Sequence, residues 1–517
     1  MSSLSILGDP PPARISDLPA RWARETPDAP AYETSRGTVT WGAVGAAIER
    51  AADVLREAGV RPGDRVMIVN ENGIAGVVLL FAVSRLDAWA SLVNARMSAR
   101  EVAAMRAHAG FRRVLFTVED SAAAAEHAAA EPVTTHDDPV FGRIAMGTLD
   151  ESCTPEPVRA DGEQIALLMY TSGTTGNPKA VMLAHRAVMY TGASQCKARR
   201  LTAADRLYVV APLSHSIGVS SNVLAAAWVG ACSLLPPRFD PAHLAASIRD
   251  GKVSFIVAVP QVFARLLDYA AAKGIELRSP ALRCIGCGGA PLDPNLKERV
   301  SRTLGLPFGN GYGATEMVPV ARVPDGVDVA GDVIGEPSPG VEIRLVRDDG
   351  SEAPDGAVGE LWVRGPSLMS GYFRNEAATR EVMRPGGWLA TGDLGCRDAQ
   401  GYYRIVGRSK ELIIRSGFNV YPVEVESVLG SHPAVAQSAV VGRTLEGNEE
   451  VVAYVQCQPG RLVSEAELLE HLRANLAPYK VPSEIVVTEL PIGPTGKILK
   501  SALKSDAQNH GHGATLR

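Results

Sequence analysis

The chain has 517 residues, a net charge of −5, 46% hydrophobic residues and 21% charged residues. That length allows more than one domain at roughly 100–200 residues each, and the balance is that of an ordinary soluble globular protein. So small a net charge gives no field favouring nucleic acid or a membrane surface. Seven scattered cysteines predict reduced thiols in a cytoplasmic protein and no disulfide frame.

In chain order, the N-terminus Met-Ser-Ser-Leu-Ser-Ile-Leu-Gly-Asp-Pro has no basic n-region and no sustained apolar core, which argues against a signal peptide. The best apolar run, Val77–Val83, is followed by Arg85 and Asp87 and is too short to span a bilayer, so no integral membrane segment is expected. Ala-rich Val44–Ala58, Ala122–Ala130 and Leu244–Ile248 read as helices. Val66–Val69, Val114–Phe116, Leu207–Ala211 and Phe255–Val259 read as short buried strands. This alternation predicts an α/β fold with parallel-type sheets. Past about residue 330, Val341–Val346 and Gly359–Arg364 alternate apolar with polar and predict a small antiparallel β region. Residues 411–517 hold strands Val451–Gln456 and Glu484–Thr488 and helices Val423–Leu429 and Glu465–Leu476, enough for a separate small α+β domain. Ser505–Arg517 is polar and reads as a disordered tail, with His510 and His512 as tail residues. Cys284 and Cys287 form a C-x-x-C without a second ligand pair and read as small buried residues.

The most informative stretch is Tyr170-Thr-Ser-Gly-Thr-Thr-Gly-Asn-Pro-Lys179. The apolar run Ile165–Tyr170 leads in as a strand, which then breaks into a loop of hydroxyls, glycines and one lysine. Glycines let backbone N–H groups approach an anion, hydroxyls donate hydrogen bonds, and Lys179 adds a point charge. The spacing is not that of the common P-loop. Thr171, Ser172, Gly173, Thr174, Thr175, Gly176 and Lys179 are therefore candidates to hold a polyphosphate.

This loop resembles the signature of the adenylate-forming superfamily, which includes acyl-CoA synthetases, peptide-synthetase adenylation domains and luciferases. It differs at Ala180, where the family usually has glycine. The resemblance continues in order through Gly311-Tyr-Gly-Ala-Thr-Glu316, Thr391-Gly-Asp393, Gly407-Arg408-Ser-Lys410 and Pro494-Thr-Gly-Lys497. It implies a large N-terminal domain (1–409) with the ATP and acyl sites, and a mobile C-terminal domain (410–504) ahead of the 505–517 tail. It also implies ATP, Mg²⁺ and coenzyme A, and a reaction in two halves. A carboxylate attacks the α-phosphorus to give acyl-adenylate and pyrophosphate, and a thiol then displaces AMP. The expected partners are the carboxylic acid, ATP and CoA, with no nucleic acid; a homodimer stays open.

Residue by residue, the resemblance implies that Tyr312 packs on adenine beside Gly311 and Gly313, and that Gly289, Ala290 and Pro291 place backbone against the base. Thr315 contacts the α-phosphate and Glu316 holds Mg²⁺, a hard cation whose usual set is one carboxylate with phosphates and waters. Asp393 accepts both ribose hydroxyls and Arg408 adds a ribose or phosphate contact. Lys410 is the hinge. Its rotation brings in Lys497 for adenylation and the Ser416-Gly417 loop for thioester formation. His215 lies at the acyl site. Ser216–Leu224 should line the acyl pocket and carries no charge. A buried unpaired ammonium would be costly there, so the expected acid is a monocarboxylate with an apolar body, fatty or aromatic. Two alternatives stay open. One is a stand-alone enzyme that loads a carrier protein. The other is a malonate-like dicarboxylate ligase in which Arg283 binds the second carboxylate.

Overall fold

The apolar runs assemble into two large sheets in the computed structural model, which describes residues 6–8, 10–171, 179–331, 333–416, 418–445, 448–458, 460–493 and 498–510. Arg65–Asn70, Trp89–Asn94 and Arg113–Phe116 lie parallel in an eight-stranded sheet. Ile165–Thr171 and Lys179–Ala184 follow in that sheet, with Gly371–Tyr372 at its edge. Every residue of Arg65–Asn70 and Trp89–Asn94 is buried, as expected of parallel strands covered on both faces. The Val77–Val83 run belongs to the helix Ile74–Arg85, apolar all round and buried from Ile74 to Ser84. It shares one hydrophobic cluster with the helix Trp41–Glu57 and with residues of both sheets, so it is a core helix.

The second sheet has fourteen strands. Arg206–Tyr208, Phe255–Ala258, Cys284–Gly288 and Phe308–Ala314 run parallel, and Met317–Arg322 turns back antiparallel. Val333–Pro337, Tyr403–Arg408, Trp388–Arg397, Gly359–Arg364 and Glu342–Val346 extend it. The β region expected past residue 330 therefore continues the large sheet, because Val333 and Gly335 pair with Arg404 and Tyr403. The strand expected over Leu207–Ala211 ends at Tyr208. Beyond it, the buried Asn72 amide donates to the Val209 and Ala211 carbonyls, which satisfies those groups without a neighbouring strand.

The C-terminal region has its own cluster, built on Ile413, Val425, Leu429, Val440, Ala453 and Leu472. A hairpin (Ile413–Arg415 with Phe418–Val420) and a three-stranded sheet (Val435–Leu445, Asn448–Cys457, Glu484–Val487) frame it with helices Pro422–Gly430 and Glu465–Asn475. One expectation is corrected. Residues 505–510 are not tail but part of the helix Lys500–His510. Leu503 and Ala507, spaced to share one helix face, bury against Val441, Val452 and Tyr454. The Tyr454 hydroxyl donates to Asp506 at 2.8 Å. His512 and the other residues of 511–517 lie outside the described residues.

Candidate active site

Parallel strands deliver the loops at their C-terminal ends to one side of a sheet, and the motif residues gather there. Thr171 ends one strand and Lys179 begins the next, paired across the antiparallel ladder. The intervening Ser172, Gly173, Thr174, Thr175 and Gly176 lie outside the described residues. Ala180 is fully buried and continues the strand.

Thr315 and Glu316 form the turn between Phe308–Ala314 and Met317–Arg322. The Glu316 Oε1 accepts a hydrogen bond from the Tyr372 hydroxyl at 2.7 Å. Tyr372 is 6% exposed, and the Lys179 ammonium sits 5.1 Å from its ring centroid. One aromatic side chain thus joins the lysine of the phosphate loop to the carboxylate expected to hold a cation. Burial and the neighbouring Glu316 push the Tyr372 phenol well above its ordinary pKa, so it stays a donor at neutral pH. Among the described residues no group of three or more His, Cys, Asp or Glu gathers as a metal site. A single carboxylate fits Mg²⁺, which takes the rest of its shell from phosphate and water. Sequence reading missed Tyr372, and the only local signal is a Gly-Tyr pair.

Asp393 lies opposite Arg408 in adjacent antiparallel strands. It is 3% exposed; the Arg408 Nε donates to its Oδ1 at 2.8 Å and the Tyr312 hydroxyl donates to its Oδ2. Its own N–H donates to Thr391 Oγ1, and the Gly392 N–H donates to Glu360 Oε1, which fixes the turn. Gly392 has φ +73°, a conformation that suits glycine. Burial raises the Asp393 pKa above the ordinary carboxylate value, although Arg408 pulls it back. Each carboxylate oxygen can accept more than one donor, so capacity remains for a diol.

Gly289, Ala290 and Pro291 follow the strand Cys284–Gly288, and Gly289 has φ +79°. A Cβ at Gly289 would lie 3.2 Å from the Ile217 side chain. Ile217 opens a π-helical segment, Ile217–Val223, which sequence reading did not anticipate. His215 is partly buried just ahead of it and its carbonyl accepts from the Val219 N–H. Within the segment Asn222 is fully buried, with its Nδ2 donating to the Ile217 carbonyl and its Oδ1 unpartnered. In the strand that leads to Gly289, Gly286 and Gly288 pair in parallel with Gly309 and Gly311, a strip of sheet face without side chains.

Arg283 does not join this group. It precedes the N-terminal end of the Cys284–Gly288 strand, and Gly289, Ala290 and Pro291 follow the other end. Its guanidinium donates to Asp205 at 2.6 and 2.8 Å and to the carbonyls of Arg199 and Arg200. It is a structural clamp, so its guanidinium is not the ligand for a second carboxylate that the sequence suggested. Cys284 and Cys287 point to opposite faces of their strand, Cys284 toward Cys196 and Cys287 toward Ile285 and Phe308, so they form no chelating pair.

Lys410 lies exposed in a single turn, Ser409–Glu411, its Nζ 4.0 Å from Glu381. Ser416 has φ +51° and its N–H donates to Asn448 Oδ1 at 2.6 Å. Gly417 and Lys497 lie outside the described residues. Shortly after Lys497, the Lys500 ammonium reaches Glu411 at 3.1 Å and Glu426 at 2.8 Å. That ion pair ties the last helix to the residue after Lys410.

The chain belongs to the AMP-binding enzyme family: the AMP-binding enzyme model matches residues 19–373 and the AMP-binding enzyme C-terminal domain model matches 424–497. It is 34% identical to a feruloyl-CoA synthase of Amycolatopsis sp over 495 residues, 95% of this chain and 98% of that one. It is 33% identical to an indoleacetate–CoA ligase of Aromatoleum aromaticum over 469 residues, 88% and 91% of the two chains. Its fold matches o-succinylbenzoate CoA synthetase from Bacillus subtilis bound to its acyl-adenylate intermediate. The TM-score is 0.80 at 30% identity, covering 95% of this chain and 98% of that one. Within the family, the protein is an AMP-forming acyl-CoA synthetase that uses ATP, Mg²⁺ and CoA. Among the described residues no helix is long and apolar enough to cross a membrane.

Proposed function

We propose that this synthetase activates an acid with an apolar body, aromatic or aliphatic, and passes it to free coenzyme A. The observation that carries the assignment of roles is the Lys179–Tyr372–Glu316 contact, which sets the phosphate-loop cation and the metal carboxylate on one side chain. Thr171, Lys179 and the loop between them hold the departing β- and γ-phosphates. Glu316, held by Tyr372, takes the cation, which when bound neutralises phosphate charge. Thr315, beside it in the turn, contacts the α-phosphate. Asp393 and Arg408 hold the ribose, and Tyr312 anchors the adenine side while fixing Asp393. Transfer between oxygens at phosphorus asks mainly for positioning and charge neutralisation, which this set supplies.

The acyl group lies between the π-helical segment and the glycine strip, with His215 at the entrance. The segment is uncharged and buried from Gly218 to Val223, which supports an acid lacking an α-ammonium group. Lys497 then supplies charge to the adenylation transition state. Rotation about Lys410 replaces it with Ser416 and Gly417 for thioester formation, with 410–504 moving as a unit. Five buried cysteines, none paired, support a cytoplasmic setting.

The test is a panel of aromatic, aliphatic, dicarboxylic and amino acids with Mg-ATP, with and without CoA. Pyrophosphate release and mass spectrometry are the readouts. Acyl-CoA and AMP should appear with apolar-bodied acids. Pyrophosphate release without acyl-CoA, with thioester appearing only on added carrier protein, would overturn the choice of thiol. A preference for amino acids would overturn the choice of acid.

A further inference from the structure

We propose that the acyl site ends on a guanidinium floor formed by Arg199 and Arg322, and that its acid carries a second, hydrogen-bond-accepting oxygen remote from the reacting carboxyl. This rests on the reading above that the glycine strip is the acyl site. Arg199 closes the helix His185–Arg199 and is 7% exposed, and its Nη2 lies 2.7 Å from where a Cβ on Gly286 would stand. Arg322 ends the strand Met317–Arg322, directly opposite Gly311, so both side chains address the same face of the sheet. The two are near enough that Arg199 helps to depress the Arg322 pKa, with burial the larger cause.

Neither guanidinium is satisfied. The Arg199 Nη1 donates to Asp325 Oδ1 at 3.0 Å and approaches the Cys284 sulfur at 3.4 Å, but its buried Nε has no partner. The Arg322 Nη1 is likewise buried without a partner. Arginine has donors only, and buried donors left unpaired are costly, so the complement of this floor is an acceptor. Asp325 opposes Arg199 and Glu336 stands opposite Arg322, so what the floor offers a ligand is its unpaired donors rather than net charge. Gly286 lies two residues below Gly288, roughly 7 Å deeper along the strand. Malonate is too short to bridge that depth, whereas a benzene ring with a para substituent is not. The acid class is therefore an oxo-acid or long dicarboxylate with a rigid or extended spacer.

The test uses acyl-sulfamoyl adenosines, unreactive mimics of the acyl-adenylate, made from 3-phenylpropanoate carrying a 4-acetyl, 4-carboxy or 4-isopropyl group. Isopropyl matches the others in shape but accepts no hydrogen bond. Calorimetry on the full chain should give about tenfold or tighter binding of the acetyl and carboxy compounds over isopropyl, the scale of a hydrogen bond to a charged donor. Arg322→Met should bring that ratio to near one, and Arg322→Lys should restore part of it; thermal melting reports that each variant is folded. If isopropyl binds as well as the others to the unaltered protein, or the ratio survives both substitutions, the floor reading is wrong while the acyl site stands. If none of the three binds, the acyl site itself has been misplaced.

Discussion

The Tyr372 hydroxyl is the least expected part of the site, and Tyr372→Phe isolates it. The substitution keeps the ring, hence the Lys179 contact at 5.1 Å, and removes only the 2.7 Å hydrogen bond to Glu316. A hydrogen bond to a charged group contributes about 1.5–3 kcal/mol. If it orients the carboxylate for the cation, adenylation kcat/KM should fall about 10- to 100-fold. The Mg²⁺ concentration for half-maximal rate should rise with it. Tyr372→Leu should cost more, because the cation–π contact, about 0.5–1 kcal/mol, is lost as well. The assay is pyrophosphate release across a Mg²⁺ titration, with Glu316→Gln and the double variant closing a thermodynamic cycle. The two single losses should not add, since both act through one carboxylate. Full activity and an unchanged Mg²⁺ requirement in Tyr372→Phe would refute the reasoning. So would strict additivity in the cycle.

Three further outcomes follow from the geometry. On the proposed ribose role, Asp393 accepts the diol as the carboxylate, and burial holds its proton to higher pH than in an unfolded chain; the KM for ATP should therefore climb on acidification before exposed carboxylates titrate, whereas Asp393→Asn should give a high KM with that step gone. Lys410→Pro fixes φ at about −65° and should keep adenylation while slowing thioester formation, and Lys410→Ala should change both rates little; equal damage in the two variants would remove the hinge role. Lys500→Met leaves Glu411 and Glu426 without the cation between them and should lower the melting temperature, an effect that shrinks as pH falls and the carboxylates protonate.

The sequence proposes site residues where the chemistry is packed into short stretches. Lys179, Thr315, Glu316, Asp393 and Arg408 each sit in a glycine-rich or strand-end motif, and the structure brings these stretches to one side of the sheets. Residues whose role depends on distant partners gave no such signal. Tyr372 meets Glu316 across 56 positions, through a two-residue edge strand no periodicity announces. Arg283 misled for the opposite reason. It stands close to the glycine run in sequence, but a strand carries the chain away from it, and Asp205 takes its charge. The π-helical turn at Ile217–Val223 and the helix over 500–510 depend on packing against the sheets, which local propensity does not report.

A two-step enzyme in which Lys497 serves only the first step can be tested at that lysine. The direct measurement compares Lys497→Ala with the unaltered chain in two separate assays, ATP-dependent pyrophosphate release with an accepted acid, and thioester formation from supplied acyl-AMP and CoA. The first should be abolished and the second largely retained. Equal loss in both assays would contradict this, leaving Lys497 a structural residue and the half-reactions without the separate machinery assigned to them.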